Sequence, residues 1–318
     1  MPVALLKVDA EHTSLRLDVF IAEGLQLSRS QAQRLIRKGS VVVNQKREAQ
    51  NYRVRPDDCI EVVRGEEPAH VLAPEPIPLT ILHRDHCLVV VDKPHGMVVY
   101  PGAGHESGTL LNGILFHCGA LAGIGGPLRN GVVHRLDKDT SGVMVVALDD
   151  AAYYGLVEQF RKRAVTRSYL AIVYGLLKND SGEILLGIGR SLTDRKKMST
   201  RTRRSKTALT TWRVLRRFAQ ATLVEAKLGT GRTHQIRVHF AAIGHPVLGD
   251  RTYGRKISVE MKDRHLTFPR QMLHAATLGF VHPVTGRAME FTSPLPADME
   301  EAIERLEGRN ENPEFRIQ

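Results

Sequence analysis

The 318-residue sequence predicts an α+β protein in two parts. Three observations carry that expectation. Short β-branched runs outnumber helical stretches and do not alternate regularly with them, which argues against a doubly wound parallel sheet. Four prolines within eleven residues, Pro68, Pro74, Pro76 and Pro78, mark a linker over 66–78 that separates a small N-terminal region from a large remainder. Hydrophobic residues make up 42% of the chain, enough for packed cores and too many for wholesale disorder.

The first unit is expected over 1–65. Leu15, Leu17, Phe20 and Ile21 recur at helical spacing. A second helix opens at Ser28 or Ser30, either of which can cap it, and stops at Gly39. On it Arg34, Arg37 and Lys38 stand at i, i+3 and i+4 and share one face, with Ala32, Leu35 and Ile36 on the other. A β-branched strand at 41–43, a turn at 44–46 and a strand at 59–63 complete this unit. The large unit is expected over 79–306. Its strands are predicted at 88–91, 142–147, 169–173 and 222–228, and its helices at 151–163 and 233–243. The polar residues 307–318 form a tail expected to fray.

Lysine and arginine total 45 against 34 acids, a net charge of +11, which implies a polyanionic partner. No apolar run approaches the ~18 residues of a membrane span, so nucleic acid is favoured over a membrane. The first residues lack the basic and apolar regions of a secretory signal. Three cysteines, Cys59, Cys87 and Cys118, without CxxC spacing exclude a disulfide scaffold and a zinc ribbon, and fit a reducing cytoplasm. The basic excess is concentrated. Between Ser28 and Arg55 stand Arg29, Arg34, Arg37, Lys38, Lys46, Arg47, Arg53 and Arg55 against one acid, Glu48. That is the footprint of a phosphate-binding surface holding RNA by charge and shape. A second basic stretch, 187–217, sets eleven cations against Asp194 and is expected to be an RNA-facing loop that orders on binding.

Two clusters carry reactive residue types. In Gly131-Val132-Val133-His134-Arg135-Leu136-Asp137-Lys138-Asp139-Thr140-Ser141-Gly142 a short strand leads into the charged residues and an apolar strand follows. The charges therefore sit in a loop held from both sides at the edge of the core, where catalytic groups are commonly placed; the bland alternative is a capped turn. In Gly229-Thr230-Gly231-Arg232-Thr233-His234-Gln235-Ile236-Arg237-Val238-His239 a glycine turn precedes a helix capped by Thr233, with Ile236, Phe240 and Ile243 facing the core. Arg237 then lies at the boundary and wants a carboxylate, for which Asp137 is the candidate. Asp92-Lys93-Pro94-His95-Gly96 and 167–175 are more readily structural. GxSxG, GxxxxGK[ST] and HExxH are absent, and the scattered histidines offer no metal-ligand spacing.

Taken together, the run from His134 to Gly142, the run from Gly231 to His239, the Lys93-Pro94-x-Gly96 turn and Tyr169-x-Ala171 resemble the RluA/RluD family of RNA pseudouridine synthases, in order and across nearly the whole chain. The N-terminal segment resembles the αL RNA-binding domain. Pro101-Gly102-Ala103-Gly104 and Gly244-His245-Pro246-x-x-Gly249-Asp250 point to the large-subunit ribosomal RNA branch. The resemblance implies a mixed, mainly antiparallel central sheet with flanking helices. It also implies a cytoplasmic, monomeric enzyme that isomerises uridine to its C-glycoside without cofactor or metal. Its expected partner is structured RNA, 23S rRNA or a large-subunit assembly intermediate, with transfer RNA as the alternative target.

By the same resemblance Asp137 is the catalytic aspartate, acting as a nucleophile at C1′ or at base C6, or as a base at the sugar. Arg237 keeps that carboxylate ionised. Tyr169 packs on the target base and assists proton removal from C5. Arg135 fills the gap left by the extruded nucleotide. His134 and Arg232, within the same motifs, are expected against the substrate, and Arg34, Arg37 and Lys38 against RNA phosphates. One departure stands out: Tyr100 occupies a position that is usually histidine. Asp139 is expected to be structural. An RNA-binding assembly factor is disfavoured because every residue the chemistry needs is present. A glycosidase using Asp137 and Asp139 is disfavoured because two loop positions set the carboxylates too close for an inverting pair.

Overall fold

In the computed structural model the chain divides into two units, Met1–Val71 and Leu72–Gln318. The structure describes residues 3–27, 29–63, 72–102, 104–125, 128–194, 197–202, 204–254, 258–261 and 264–308. Ser28, most of the expected linker (66–71), Ala103, Arg195, Lys196, Arg203 and the tail from 309 lie outside them.

The N-terminal unit contains β1 (Val3–Lys7), α1 (Leu17–Gly24), α2 (Arg29–Arg37), β2 (Val41–Val43) and β3 (Cys59–Val63). Its antiparallel sheet has the order β1-β3-β2. Leu17, Phe20 and Ile21 of α1 and Ala32 and Ile36 of α2 bury against Val41, Val43, Ile60 and Val62. Ser30 lies inside α2, and Ser28, the other expected cap, is outside the described residues. The helix ends where Gly39 takes φ +74°, a conformation costly for residues with a Cβ. Asn44 and Gln45 both have positive φ and close a tight turn in which Val43 and Lys46 exchange backbone hydrogen bonds. Fully buried Asp18 of α1 receives Arg16 Nε (3.0 Å), Arg29 Nε (3.1 Å) and Gln33 Nε2 (2.5 Å). Burial alone would raise its pKa, but these donors outweigh it and hold the carboxyl ionised well below the usual range. Arg29 thus ties α2 to α1 through Nε while its side chain stays exposed. Arg34, Arg37 and Lys38 are exposed.

The second unit runs β4 (Thr80–Arg84), β5 (Leu88–Lys93), α3 (Leu110–Cys118), β6 (Ser141–Ala147), α4 (Asp150–Lys162), β7 (Thr166–Tyr174), β8 (Ser181–Leu185), β9 (Gly189–Arg190), β10 (Met198–Ser199), β11 (Leu209–Arg217), β12 (Ala221–Leu228), α5 (Gln235–Ala242), β13 (Ser258–Met261), β14 (Arg264–Thr267), β15 (Leu273–Val281), β16 (Ala288–Thr292) and α6 (Ala297–Glu307). Its nine-stranded sheet has the order β4-β5-β6-β15-β7-β12-β11-β8, with β16 paired to β15. Pairing is antiparallel except at β6–β15, where Ser141 and Gly142 meet His274 and Ala275 in parallel. From Thr277 onwards β15 pairs with β16 instead. The sheet is therefore mixed and mainly antiparallel, with helices on both faces.

Strand alternation sorts the core. Val89 and Val91 of β5 pack with α3, α5, Ala171 and Val173, whereas Leu88 and Val90 pack with Ala152 and Leu156 of α4. Ile172, Leu248 and Met272 lie under Met299 and Leu306 of α6. Residues 72–78, assigned by their prolines to the linker, are pinned to α3. Asn112 Nδ2 donates to Ala73 O (2.7 Å), and the ring of His117 bonds Ile77 O (2.8 Å).

Two further expectations are corrected. Thr233 does not cap α5: the preceding residue is His234 at φ +56°, and Ile243 is 38% exposed beyond the helix end. Buried Gln235 organises this turn instead, accepting from Thr230 Oγ1 (2.7 Å) and Arg232 N (3.0 Å) and donating to Leu209 O (2.8 Å). The basic stretch 187–217 is not one loop, because its last third is β11, inside the sheet. There Arg213 pairs with Glu225, Arg217 with Asp180 and Arg216 with Glu307.

Candidate active site

Asp137 stands in the connection from Gly131 to β6, which is tied down along its length. Gly131 has φ +73°, and a Cβ there would lie 2.0 Å from Ala147 O, so only glycine lets the segment run so close to β6. Val132 bridges Val146 in place of the short strand expected at 132–133. After the aspartate, Thr140 N donates to Asp137 O (3.1 Å). Two buried cations hold the next carbonyls: Lys93 Nζ donates to Lys138 O (3.1 Å) and Arg270 Nη1 to Asp139 O (3.0 Å). Arg270 is itself paired with Asp298 through Nε (2.6 Å) and Nη2 (2.9 Å).

The carboxylate of Asp137 meets buried Arg237 of α5, whose Nη1 donates to Oδ2 at 2.8 Å. Behind it, fully buried Asp250 takes Arg237 Nε (2.7 Å) and Nη2 (2.9 Å), a bidentate pair, and also accepts from the backbone of Thr252 and Tyr253. Burial alone would lower the arginine's pKa, but Asp250 and Asp137 outweigh it and hold the guanidinium charged. Asp137 is the carboxylate of the trio that reaches the cavity, with 16% of its side chain exposed.

His234 Nε2 lies 3.6 Å from Asp137 Oδ1, while its Nδ1 is 2.6 Å from Tyr253 OH. Burial lowers its pKa, so it stands neutral beside the carboxylate. Tyr253 OH also accepts from Met198 N (2.9 Å), which fixes the phenol beside the imidazole.

A cavity of about 730 Å³ opens at Asp137. Tyr169 of β7, 7% exposed, forms part of its wall with Leu136, Leu228, Ile236 and Leu273. Burial raises the Tyr169 phenol's pKa; the charge of Arg167 opposes this and that of Asp137 reinforces it. Asp137 is the only carboxylate in a lining that includes Arg129, Arg135, Arg161, Arg163, Arg167, Arg232 and Arg237. Such a surplus of cations fits a polyanion. A second cavity of about 560 Å³ shares Asp137, Arg135, His234 and Arg237, so the carboxylate stands at the junction of the two.

The RNA pseudouridylate synthase family matches residues 87–242, which contain Asp137, Tyr169 and Arg237, and the S4 domain matches residues 15–60. The chain is 47% identical over 297 residues to the RNA pseudouridine synthase YlyB of Bacillus subtilis, covering 93% of this chain and 95% of that protein. It is 41% identical over 319 residues to ribosomal large subunit pseudouridine synthase D of Zymomonas mobilis, covering 98% and 100% respectively. The chain belongs to the RNA pseudouridine synthases. It is an RNA isomerase carrying an S4-type RNA-binding domain. A human structure, RNA pseudouridylate synthase domain containing 1, superposes with a TM-score of 0.55 at 29% identity, covering 72% of this chain and 95% of that one.

The fold gathers Asp137, Arg237, Tyr169, Arg135, His134 and Arg232 of the synthase around one cavity. Arg34, Arg37 and Lys38 belong to the other unit. His134 supports the wall: its ring stacks on Phe160 (centroids 4.8 Å apart) and Nε2 accepts from Val145 N (3.2 Å). Burial pushes its pKa down to about 3, so it is neutral. Exposed Arg135 donates through Nη1 to Tyr100 OH (2.7 Å), and the guanidinium of Arg129 lies 4.6 Å from the centre of the same ring. The tyrosine in place of the usual histidine thus holds two arginines at the cavity mouth.

Sequence reasoning missed Asp250, Tyr253, Lys93, Arg270 and Arg167 as site residues. Asp250 stood in a quoted motif, but nothing local showed that its carboxylate reaches back to Arg237. Arg167 stood in a segment assigned to structure, two residues before Tyr169 and so on the same strand face, which was a usable signal.

Proposed function

We propose that this synthase isomerises specific uridines in large-subunit (23S) ribosomal RNA, with Asp137 as the catalytic carboxylate. The chain Asp250–Arg237–Asp137 carries the proposal: a carboxylate at the cavity held by a buried arginine whose second partner is fully buried. The target uridine leaves its stack and enters the cavity, because neither C1′ nor C5 can be worked on inside a helix. Asp137 acts on the sugar side, the N1–C1′ bond breaks, the base turns, and C5 bonds to C1′. The C5 hydrogen leaves as a proton and N1 takes one up, so no cofactor is consumed. Tyr169 packs against the base and assists removal of the C5 proton. Arg135, released from Tyr100, fills the space the nucleotide leaves, and His134 and Arg232 bound the substrate.

Arg34, Arg37 and Lys38 of the N-terminal domain (1–65) hold phosphates of the same RNA, and the catalytic domain (79–306) acts as a monomer in the cytoplasm. Relatives named as large-subunit pseudouridine synthase D in Zymomonas mobilis and Nitrosomonas europaea support ribosomal RNA over transfer RNA.

Tritium release from unmodified large-subunit rRNA transcript labelled at uridine C5 tests the assignment. Release by wild type and none by Asp137→Asn, with RNA affinity retained, is the expected result. Release by Asp137→Asn, or a parallel collapse of RNA binding, removes Asp137 from the chemistry. Turnover on transfer RNA alone moves the substrate.

A further inference from the structure

Buried cations of the catalytic unit generally have partners. Arg237 has two carboxylates, Arg270 has Asp298, and Lys93 has three carbonyl oxygens. Half-buried Arg167 differs. It leaves β7 on the same face as Tyr169 and lines the cavity. Its Nε is shut off from solvent with no hydrogen-bond partner. The ring of Phe160 lies 5.4 Å from its Cζ. Leaving a buried donor unsatisfied costs about 1–3 kcal/mol, more when it is charged. Burial disfavours the charge, but a guanidinium does not give up its proton in a protein.

Space is reserved for this arrangement. A Cβ on Gly231 would lie 2.6 Å from Arg167 Nη1, so the glycine in the second cluster makes room for the guanidinium. Arg167 and Asp137 act on the Tyr169 hydroxyl with opposite sign and are not paired with each other. The wall on which the base packs is therefore within reach of an uncompensated cation, as the sugar side is within reach of the carboxylate.

Cleavage of N1–C1′ sends its electron pair to N1. The base becomes an anion, with its charge spread over O2 and O4, while C1′ becomes electron-deficient and is compensated by the Asp137 carboxylate. Heterolysis thus creates one charge of each sign in a pocket that already holds their opposites. We propose that Arg167 is a catalytic residue whose guanidinium binds the detached, anionic uracil and stabilises it until C5 attacks C1′. C5 then loses its hydrogen as a proton and N1 gains one, so electrons and atoms balance. Uridine before cleavage offers Arg167 only neutral carbonyl oxygens, so the interaction strengthens as the bond breaks and lowers the barrier without tightening substrate binding. The proposal rests on Asp137 acting at the sugar side.

The test is single-turnover tritium release at saturating C5-labelled rRNA transcript, with RNA Kd and melting temperature measured on each full-length variant. Arg167→Met is expected to slow release by roughly 100-fold, the scale of losing one transition-state donor, with Kd unchanged. Its melting temperature is not expected to fall, because an unsatisfied cation has been replaced by an apolar chain. Arg167→Lys keeps the charge and most of the rate. Gly231→Ala displaces the guanidinium without removing it and falls between the two. A wild-type rate for Arg167→Met overturns the proposal, as does a loss expressed wholly in Kd, which would make Arg167 a phosphate contact. Asp137→Asn runs alongside: turnover there removes the underlying reading, whereas silence there with full activity in Arg167→Met removes only this one.

Discussion

Lys93 shows what one residue can do beneath the site. It is fully buried, and its ammonium donates to Pro94 O (2.7 Å), Met97 O (2.9 Å) and Lys138 O (3.1 Å), so it ties the turn after β5 to the residue following Asp137. Burial lowers its pKa from 10.5 to about 7, against the pull of Asp139 and Asp137. Below about pH 7 the folded and unfolded chains both carry this proton, and the folded state bears the full cost of burying the charge. Between about 7 and 10.5 the unfolded chain holds the proton and the folded chain does not, so this group makes stability rise with pH. Lys93→Met removes that contribution. Denaturant unfolding across the window should show the wild type gaining on the variant as pH rises, and parallel curves would contradict a depressed pKa. The Lys93-Pro94-x-Gly96 turn was visible in the sequence, but this use of the lysine was not. Local pattern places a side chain on a strand; it does not say which distant carbonyls will enclose its end. Asp137 and Arg237 were legible because their neighbours in sequence also carry the motif, whereas Asp250 was legible only as part of a run.

At the scale of elements, the site depends on the one parallel pairing in the sheet. β6 joins β15 over Ser141 and Gly142 alone, and Ser141 Oγ and His274 Nδ1 lie 2.9 Å apart across the join. Gly142 has φ +115°, and a Cβ there would lie 2.2 Å from Ala275 O, a backbone atom that cannot swing aside. Gly142→Ala therefore combines a disallowed conformation with a clash. It should destabilise the fold by about 3 kcal/mol or more, measured by urea unfolding, with activity falling because β6 carries the Asp137 loop. A change below about 1 kcal/mol would mean that the join relaxes. The strands β5, β6, β7 and β12 were legible from their β-branched runs, and α4 from its apolar spacing. The β6–β15 pairing was not, because its partners are 133 residues apart and adjacency in a mixed sheet leaves no periodic signature. β1 was missed because Ala4, Leu5 and Leu6 lack β-branching and only alternate positions are half-buried.

For the whole molecule, a net charge of +11 becomes informative once the cations are placed on the fold. Arg29 pairs with Asp18, and Arg213, Arg216 and Arg217 with carboxylates, so part of the charge of those four is compensated within the fold. Arg34, Arg37 and Lys38 are exposed along one face of α2, within the stretch that matches the S4 domain. If that face meets phosphates, changing all three to glutamine removes up to three released counterions. The slope of log K against log salt should then shrink by up to about 2–3, at roughly 0.7–0.9 per contact. RNA affinity at low salt should fall, while the single-turnover rate at saturating RNA stays at the wild-type value because the Asp137 cavity is untouched. An unchanged slope would free α2 from RNA binding. A slope that shrinks together with the saturating rate would mean that the small domain also sets how the uridine is presented. The cavity's own arginines give the opposite signature, since Arg167→Met is expected to change the rate and leave the affinity alone. Measured together, the two variants separate charge that gathers RNA from charge that works on the base.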